Sequence, residues 1–411
     1  MYVRSVLLLV CLTNQPPHSV ILLVNLFSPT SITITTDHTL PLDKLLHKPS
    51  STGLTYLQLP KDLVIMSNHQ SYLDWMIIWM IGYLSVTPPP LSSASSIQQP
   101  ASSLQTGHGE EDKLLPSDDV DDEKGREYHH GSRTIVILLK RSLKWVPVVG
   151  WGMQFYRFIF LRRQWAHDQQ NLTAALSDLA RRTRNGATGL WLLIFPEGTI
   201  TSDNERAKSV RYAQKEGIPD FVNLLHPRST GLHFILQTLA PRIPSLKLLD
   251  ITIGYPGVPR GGYAQEWYGL GSVFWKGVAP PSVHVHMRMV DLAEVRGMAA
   301  GATSTIQSNG VAAVGEVARD DVPPTDVPNP STSAPNATAS VDQEFTLWLR
   351  SRWQDKEALL DRFTKTGGFA RAPAGGDDGD AGRESGANGE DEVERRGLVK
   401  GEEVVLSLGL W

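Results

Sequence analysis

The sequence predicts an α/β fold, a single domain with a mostly buried mixed sheet flanked by helices. Residues 190–195 (LWLLIF) form a continuous apolar run of strand length. Just before it, Leu172, Ala175, Leu176 and Leu179 recur at helical spacing within residues 166–184, and Asn185-Gly186 supplies a stop. Residues 283–289 (VHVHMRM) alternate strictly, as a strand does. Helices interleaved with strands call for a sheet covered by helices.

The 411 residues carry 41% hydrophobic and 20% charged side chains and a formal net charge of -4, enough apolar material for one substantial domain. Cys11 is the only cysteine, which excludes an intrachain disulfide and a cysteine-based metal cluster and fits a reducing or cytosol-facing environment. Residues 1–30 hold two apolar runs, 6–12 and 20–27, each shorter than the ~20 residues of a spanning helix, and read as a hydrophobic membrane-associating segment. Residues 31–36 (SITITT) alternate β-branched side chains and open the first part of the domain, residues 31–85.

Residues 64–66 read as a strand that delivers the loop SNHQSYLDW, residues 67–75. His69 falls in that loop and Asp74 in the first turn of the apolar run that follows, where the helix dipole favours an acid. From there the carboxylate can hold one ring nitrogen of His69 and leave the other free as a general base. Taken alone, the pair is better read as a capped helix with a satisfied histidine.

Residues 86–132 (PPP, a Ser/Gln/Pro stretch, then DDVDDE) have too little apolar content to offset ordering entropy and read as a disordered insertion with solvated His108, His129 and His130. The second part of the domain spans 133–295. Its opening stretch, 133–167, holds no acid and interleaves seven Lys and Arg with Trp and Phe. That mixture suits a bilayer-facing surface; a nucleic-acid binder is the rival, but no nucleic-acid module accompanies it.

Pro196 breaks the strand at 190–195, and Glu197-Gly198-Thr199 bring an acid, an exposed amide and a hydroxyl to its exit. Residues 225–231 (LHPRSTG) put Arg228 and two hydroxyls in another loop, and residues 248–254 add a strand. His284 and His286 share a strand face, but without a third ligand they make a poor metal site. Residues 296–341 read as a linker, 342–369 as an amphipathic helix, and 370–411 as an acidic disordered tail whose last residues, VVLSLGLW, could dock.

Three motifs in order, NHxxxxD, FPEGT and HPRSTG, resemble the glycerolipid acyltransferase family, which moves fatty acyl groups from coenzyme A to lysophospholipids. Residues 69–75, GWGMQ at 150–154 and 226–231 resemble most its lysocardiolipin and lysophosphatidylinositol acyltransferase branch. The resemblance implies His69 as general base oriented by Asp74, with Asn68 on the substrate side. It implies that Arg163, ending the run FIFLRR, holds acceptor phosphate with Gly198 and Thr199. Glu197 would position an arginine or accept from the acceptor hydroxyl, and Pro227 and Arg228 would shape a substrate side.

Many relatives carry arginine after Glu-Gly-Thr where this chain has Ile200, so one phosphate contact is missing, as it often is in the lysocardiolipin and lysophosphatidylinositol branch, or is supplied by Arg206, Lys208 or Arg211. The implied partners are acyl-CoA as co-substrate, a lysophospholipid and the bilayer, at the endoplasmic reticulum, with no resident cofactor, no metal and no nucleic acid. The absence of a G-x-S-x-G elbow agrees with direct transfer. A coenzyme-A-independent transacylase and a non-catalytic lipid-binding relative are the alternatives.

Overall fold

The computed structural model describes residues 30–47, 56–87, 129–130, 135–145, 153–154, 156–186, 189–298, 337–370, 398–400 and 403–407. The segment 1–29, most of the insertion, and nearly all of the linker and tail lie outside them.

The described strands are β1 (Ser31–Thr36), β2 (Leu46–His47), β3 (Tyr56–Gln58), β4 (Asp62–Ser67), β5 (Ser85–Thr87), β6 (His129–His130) and β7 (Ile135–Lys140), followed by β8 (Ile159–Leu161), β9 (Leu190–Ile194), β10 (Lys247–Gly254), β11 (Ser282–Val290), β12 (Leu398–Lys400) and β13 (Glu403–Ser407). The helices are α1 (Leu42–Leu45), α2 (Asp74–Leu84), α3 (Trp165–Arg184), α4 (Asp203–Glu216), α5 (Ser229–Leu239), α6 (Ala264–Trp267), α7 (Leu270–Lys276) and α8 (Ala337–Thr366).

Nine strands form one mixed sheet in the order β12-β13-β1-β11-β10-β4-β9-β7-β8. From β10 to β8 the neighbours are all parallel, whereas β11 runs against β10 and β1 runs parallel to β11. The C-terminal ends of β4, β7, β8, β9 and β10 therefore lie along one edge. A four-stranded sheet, β2-β3-β5-β6, stands beside it. Its pairing of Val86 with His130 and of Thr87 with His129 gives regular structure to the two ends of a stretch expected to be disordered. An antiparallel ladder satisfies backbone groups that composition alone leaves to water.

The pleat sorts the core. Leu63 and Ile65 of β4, Trp191 and Leu193 of β9, and Leu249, Ile251 and Ile253 of β10 pack on one face with α2. Val64 and Met66, Leu190, Leu192 and Ile194, and Leu248 pack on the other, under α3, α5 and α8. Helix α2 is apolar on every side from Met76 to Ile81, and those residues are buried. Each fully buried side chain of that kind contributes ~1.5–3 kcal/mol.

Two strands, β7 and β8, come from the basic aromatic stretch, where the charge pattern drew attention away from Ile135, Val136 and Ile137, all buried. The end of the tail adds β13 antiparallel to β1, with Val404 and Leu406 turned into the core. Helix α8 starts at Ala337, earlier than the amphipathic pattern indicated. His284 packs edge-on to Phe363, and His286 Nδ1 lies 3.1 Å from Thr35 Oγ1. Burial lowers the pKa of His286 to about 4, which keeps it neutral. No helix among the described residues is long and apolar enough to cross a membrane.

Candidate active site

Strand β4 ends at Ser67, and the chain turns through Asn68–Leu73 before α2 begins at Asp74. The Asp74 carboxylate folds back over that turn. Its Oδ2 accepts from the backbone N–H of Gln70 at 2.7 Å and of Ser71 at 3.0 Å, and lies 2.9 Å from His69 Nδ1. Its Oδ1 accepts from the Tyr255 hydroxyl at 2.7 Å. Asp74 is fully buried, and these donors stand in for water.

The imidazole of His69 stacks on Phe195 at 4.0 Å between ring centres, and its side chain remains 16% exposed. Nδ1 is committed to the carboxylate, so Nε2 is the nitrogen available to a ligand. Asn68 is fully buried, and its amide donates to the Ile253 carbonyl at 3.0 Å while accepting from the Ile253 N–H at 2.8 Å. It bolts the loop to β10 and is thereby a positioning residue.

The Glu197 loop leaves β9 beside this turn. Glu197 Oε1 accepts from the His69 backbone N–H at 3.3 Å. Burial, opposed only in part by the N–H groups of His69 and Leu225, pushes the Glu197 pKa up to about 8. Its other oxygen has no hydrogen-bond partner among the described residues. Glu197 is thus a clamp between the His69 loop and the loop at Leu225.

Gly198 follows with φ 73°, a left-handed conformation that glycine adopts without steric cost. The Arg228 N–H donates to the Pro196 carbonyl at 2.8 Å, and the Arg228 side chain crosses the face of Gly198. Pro227 and Thr199, the chain neighbours of Arg228 and Gly198, are half-buried.

Arg163 stands just past the end of β8 in the left-handed region, φ 65°, a strained conformation for a side chain of its size. Partial desolvation and then the positive charge of Arg228 hold its pKa below the ordinary arginine value. No described carboxylate forms an ion pair with either guanidinium. Two unneutralised guanidiniums at one strand edge suit a phosphate.

The three cations expected to replace the missing arginine at Ile200 are engaged elsewhere. Arg206 holds Asp220 and the Leu224 carbonyl, Lys208 holds Glu205, and Arg211 donates to the Ala207 carbonyl. Helical geometry turns them toward their own helix and its neighbours; Arg228 is the cation that faces Arg163.

A family model described as acyltransferase matches residues 126–255, which include Arg163, Glu197 and Arg228 but not the His69 loop. The 2-acyl-1-lysophosphatidylinositol acyltransferase of Saccharomyces cerevisiae is 28% identical over 77% of this chain and 64% of its own length. Lysocardiolipin acyltransferase 1 of Mus musculus is 38% identical over 55% of this chain and 46% of its own. The matched stretch carries the acyltransferase family's pattern. The chain spans less than two thirds of the length of either relative. Among solved structures, the PlsC acyltransferase of Thermotoga maritima aligns with 14% identity and a TM-score of 0.32, over 71% of this chain and 78% of that one.

The candidate site also contains residues that the motifs do not mark. Tyr255 reaches Asp74 from the end of β10, and the signal for it, a tyrosine closing a buried strand before Pro256, depends on knowing that β10 lies beside β4. Lys356, buried on α8, donates to the Ile251 carbonyl and pairs with Asp250 on the same strand. Gln265 of α6 accepts from the Tyr72 N–H at 2.8 Å, and Ser71 Oγ donates to the Tyr268 carbonyl at 2.9 Å. The candidate catalytic loop is thus held from β10, from α6 and from the Glu197 loop at once.

Proposed function

We propose that the chain transfers a fatty acyl group from acyl-CoA to the free hydroxyl of a lysophospholipid, at a membrane. The observation that carries this reading is the His69–Asp74 pair: one imidazole nitrogen held by a buried carboxylate, the other uncommitted on a side chain that remains partly exposed. A glycerol hydroxyl is a poor nucleophile at neutral pH. His69 Nε2 takes its proton as the oxygen attacks the thioester carbonyl carbon, and Asp74 stabilises the imidazolium that forms. The tetrahedral intermediate then expels the coenzyme A thiolate, which recovers the proton from His69, and the ester is released without an acyl-enzyme.

Arg163 and Arg228 supply the acceptor's anchor, since paired guanidiniums grip phosphate oxygens with charge-assisted hydrogen bonds. Fixing the phosphate fixes where the hydroxyl can sit, and that positioning lowers the barrier as much as the base does. The likeness to lysophosphatidylinositol and lysocardiolipin acyltransferases supports a diacylglycerophosphate product bearing a further head group.

The test uses membranes containing the full chain, labelled oleoyl-CoA and a panel of lysophospholipids, beside His69→Ala and Asp74→Asn. Transfer is expected with the wild type, dependent on the CoA thioester, and lost in both variants. A folded wild type that transfers to no acceptor overturns the reading, and transfer from another phospholipid without coenzyme A replaces it with transacylation.

A further inference from the structure

The edge that carries the site also carries most of the exposed indoles among the described residues. Trp145, after β7, is 75% exposed, and Trp275, on α7 beyond β10, is 77% exposed. Trp267, Leu270 and Val278 are exposed beside Trp275, while Ala264, Tyr268 and Val273 of the same segment are buried. The α6–α7 corner is thus apolar on both its inner and its outer side, and among the described residues only the inner side has a partner. An outward apolar patch of this kind marks an interaction surface.

The corner is fastened to the chemistry. Gln265 and Tyr268 hold Ser71 and Tyr72 of the His69 loop, and the Tyr268 hydroxyl donates to the Pro256 carbonyl at 3.1 Å. Tyr72 is itself exposed. Whatever the corner rests on therefore lies against the catalytic loop.

The charges say what that is. From 133 to 167 the sequence holds no acid, and between 255 and 281 only Glu266 is acidic. Lys140 and Arg141 are exposed next to Trp145, and Lys276 is exposed next to Trp275. Indoles side by side with cations, on two elements flanking one opening, match the headgroup layer of an anionic bilayer, where indole rings settle and basic groups meet lipid phosphates.

We propose that the α6–α7 corner, with Trp145 across the opening, is a docking surface for an anionic lipid bilayer and seats the His69 loop at headgroup depth. The proposal rests on the lysophospholipid reading only in giving the surface a purpose; the surface itself stands on exposure and charge. A lipid acceptor would then enter sideways from the leaflet, its hydroxyl and phosphate already at the level of His69 and Arg163.

The experiment places a nitroxide label on the full chain in a Cys11→Ser background, at Trp275→Cys or at Lys247→Cys. Lys247 is exposed at the start of β10, on the opposite edge of the sheet. With phosphatidylcholine vesicles containing phosphatidylserine, the label at position 275 is expected to gain contact with dissolved oxygen and lose contact with aqueous nickel chelate, while the label at 247 stays in water. Equal water contact at both positions, no vesicle binding, or immobilisation at 275 without vesicles overturns the proposal, the last pointing to a protein partner. In parallel, Trp267→Ala/Trp275→Ala should lose about tenfold in transfer to vesicle-embedded lysolipid and keep transfer to a monomeric short-chain one. Equal loss on both substrates also overturns it. A wild type without any transfer sinks the enzymatic reading and leaves the label depths to be judged by themselves.

Discussion

The hydroxyl of Tyr255 donates to Oδ1 of Asp74 at 2.7 Å, joining the exit of β10 to the first residue of α2. Burial, and then the charge of Asp74, raise the Tyr255 pKa well above that of an ordinary phenol, so the group stays a donor throughout the working range. It holds the carboxylate on the side opposite His69. Hydrogen bonds to charged groups contribute about 1.5–3 kcal/mol. Tyr255→Phe should therefore lower kcat by roughly tenfold or more and leave the acceptor KM nearly unchanged. Steady-state kinetics on both substrates check this, and an effect confined to KM would remove Tyr255 from the positioning chain.

Arg228 and Arg206 separate two roles that their sequence neighbourhood does not. Arg228 faces Arg163, whereas Arg206 is tied to Asp220 and the Leu224 carbonyl. Arg228→Ala should raise the acceptor KM by about tenfold, the equivalent of one charge-assisted contact. Arg206→Ala should lower the midpoint of thermal unfolding with acceptor KM unaltered. Identical kinetic defects in the two variants would place the phosphate elsewhere.

Glu197 makes stability depend on pH. Its pKa is about 8 in the folded chain, above the ordinary value of 4.5, so between these values the folded state holds a proton that the unfolded state has released. Stability from this group is complete below about pH 4.5 and falls as pH rises toward 8. Urea unfolding of the wild type and Glu197→Gln at pH 5, 6.5 and 8 should show the wild type losing ground steadily, the variant less so. Parallel pH profiles would mean that Glu197 is charged when folded.

Lys356 and Asp250 form an ion pair in the core between α8 and β10, both almost wholly buried. Removing one partner leaves a buried charge without its counterion, which costs about 3–5 kcal/mol. Lys356→Met should therefore be much less stable than Lys356→Met/Asp250→Leu, in which both charges are gone. A double-mutant cycle in urea measures the difference, and additive losses would show the pair to be uncoupled.

The α/β fold was legible because buried strands leave apolar runs and α3 and α8 leave helical periods. His69 and Asp74 could be placed because only five peptide bonds separate them, so the loop brings them together locally. What stayed hidden depends on strand order. Asn68 meets Ile253, and Asp74 meets Tyr255, only because β10 lies beside β4, and no local pattern encodes that neighbour. Arg228 was visible as a loop cation, but its place over Gly198 follows from a backbone hydrogen bond to Pro196. The strands β7 and β8 were overlooked because their flanking arginines and aromatics resemble a membrane surface more loudly than three buried aliphatic residues resemble a strand.

Strand β1 has consequences for how the molecule is assembled. Its ladder partners are β11 and β13, so Ser31 waits for Ser282 on one side and Ser407 on the other. A growing polypeptide emerges with this strand first and its cover last. In the interval its Ile32 and Ile34 and its bare amides and carbonyls are open to any other extended chain nearby. Contacts of such long sequence separation form slowly. The β11-β1-β13 side of the sheet is thereby completed late in synthesis, and nascent-chain surveillance rather than final stability becomes the point at which a sluggish variant is lost.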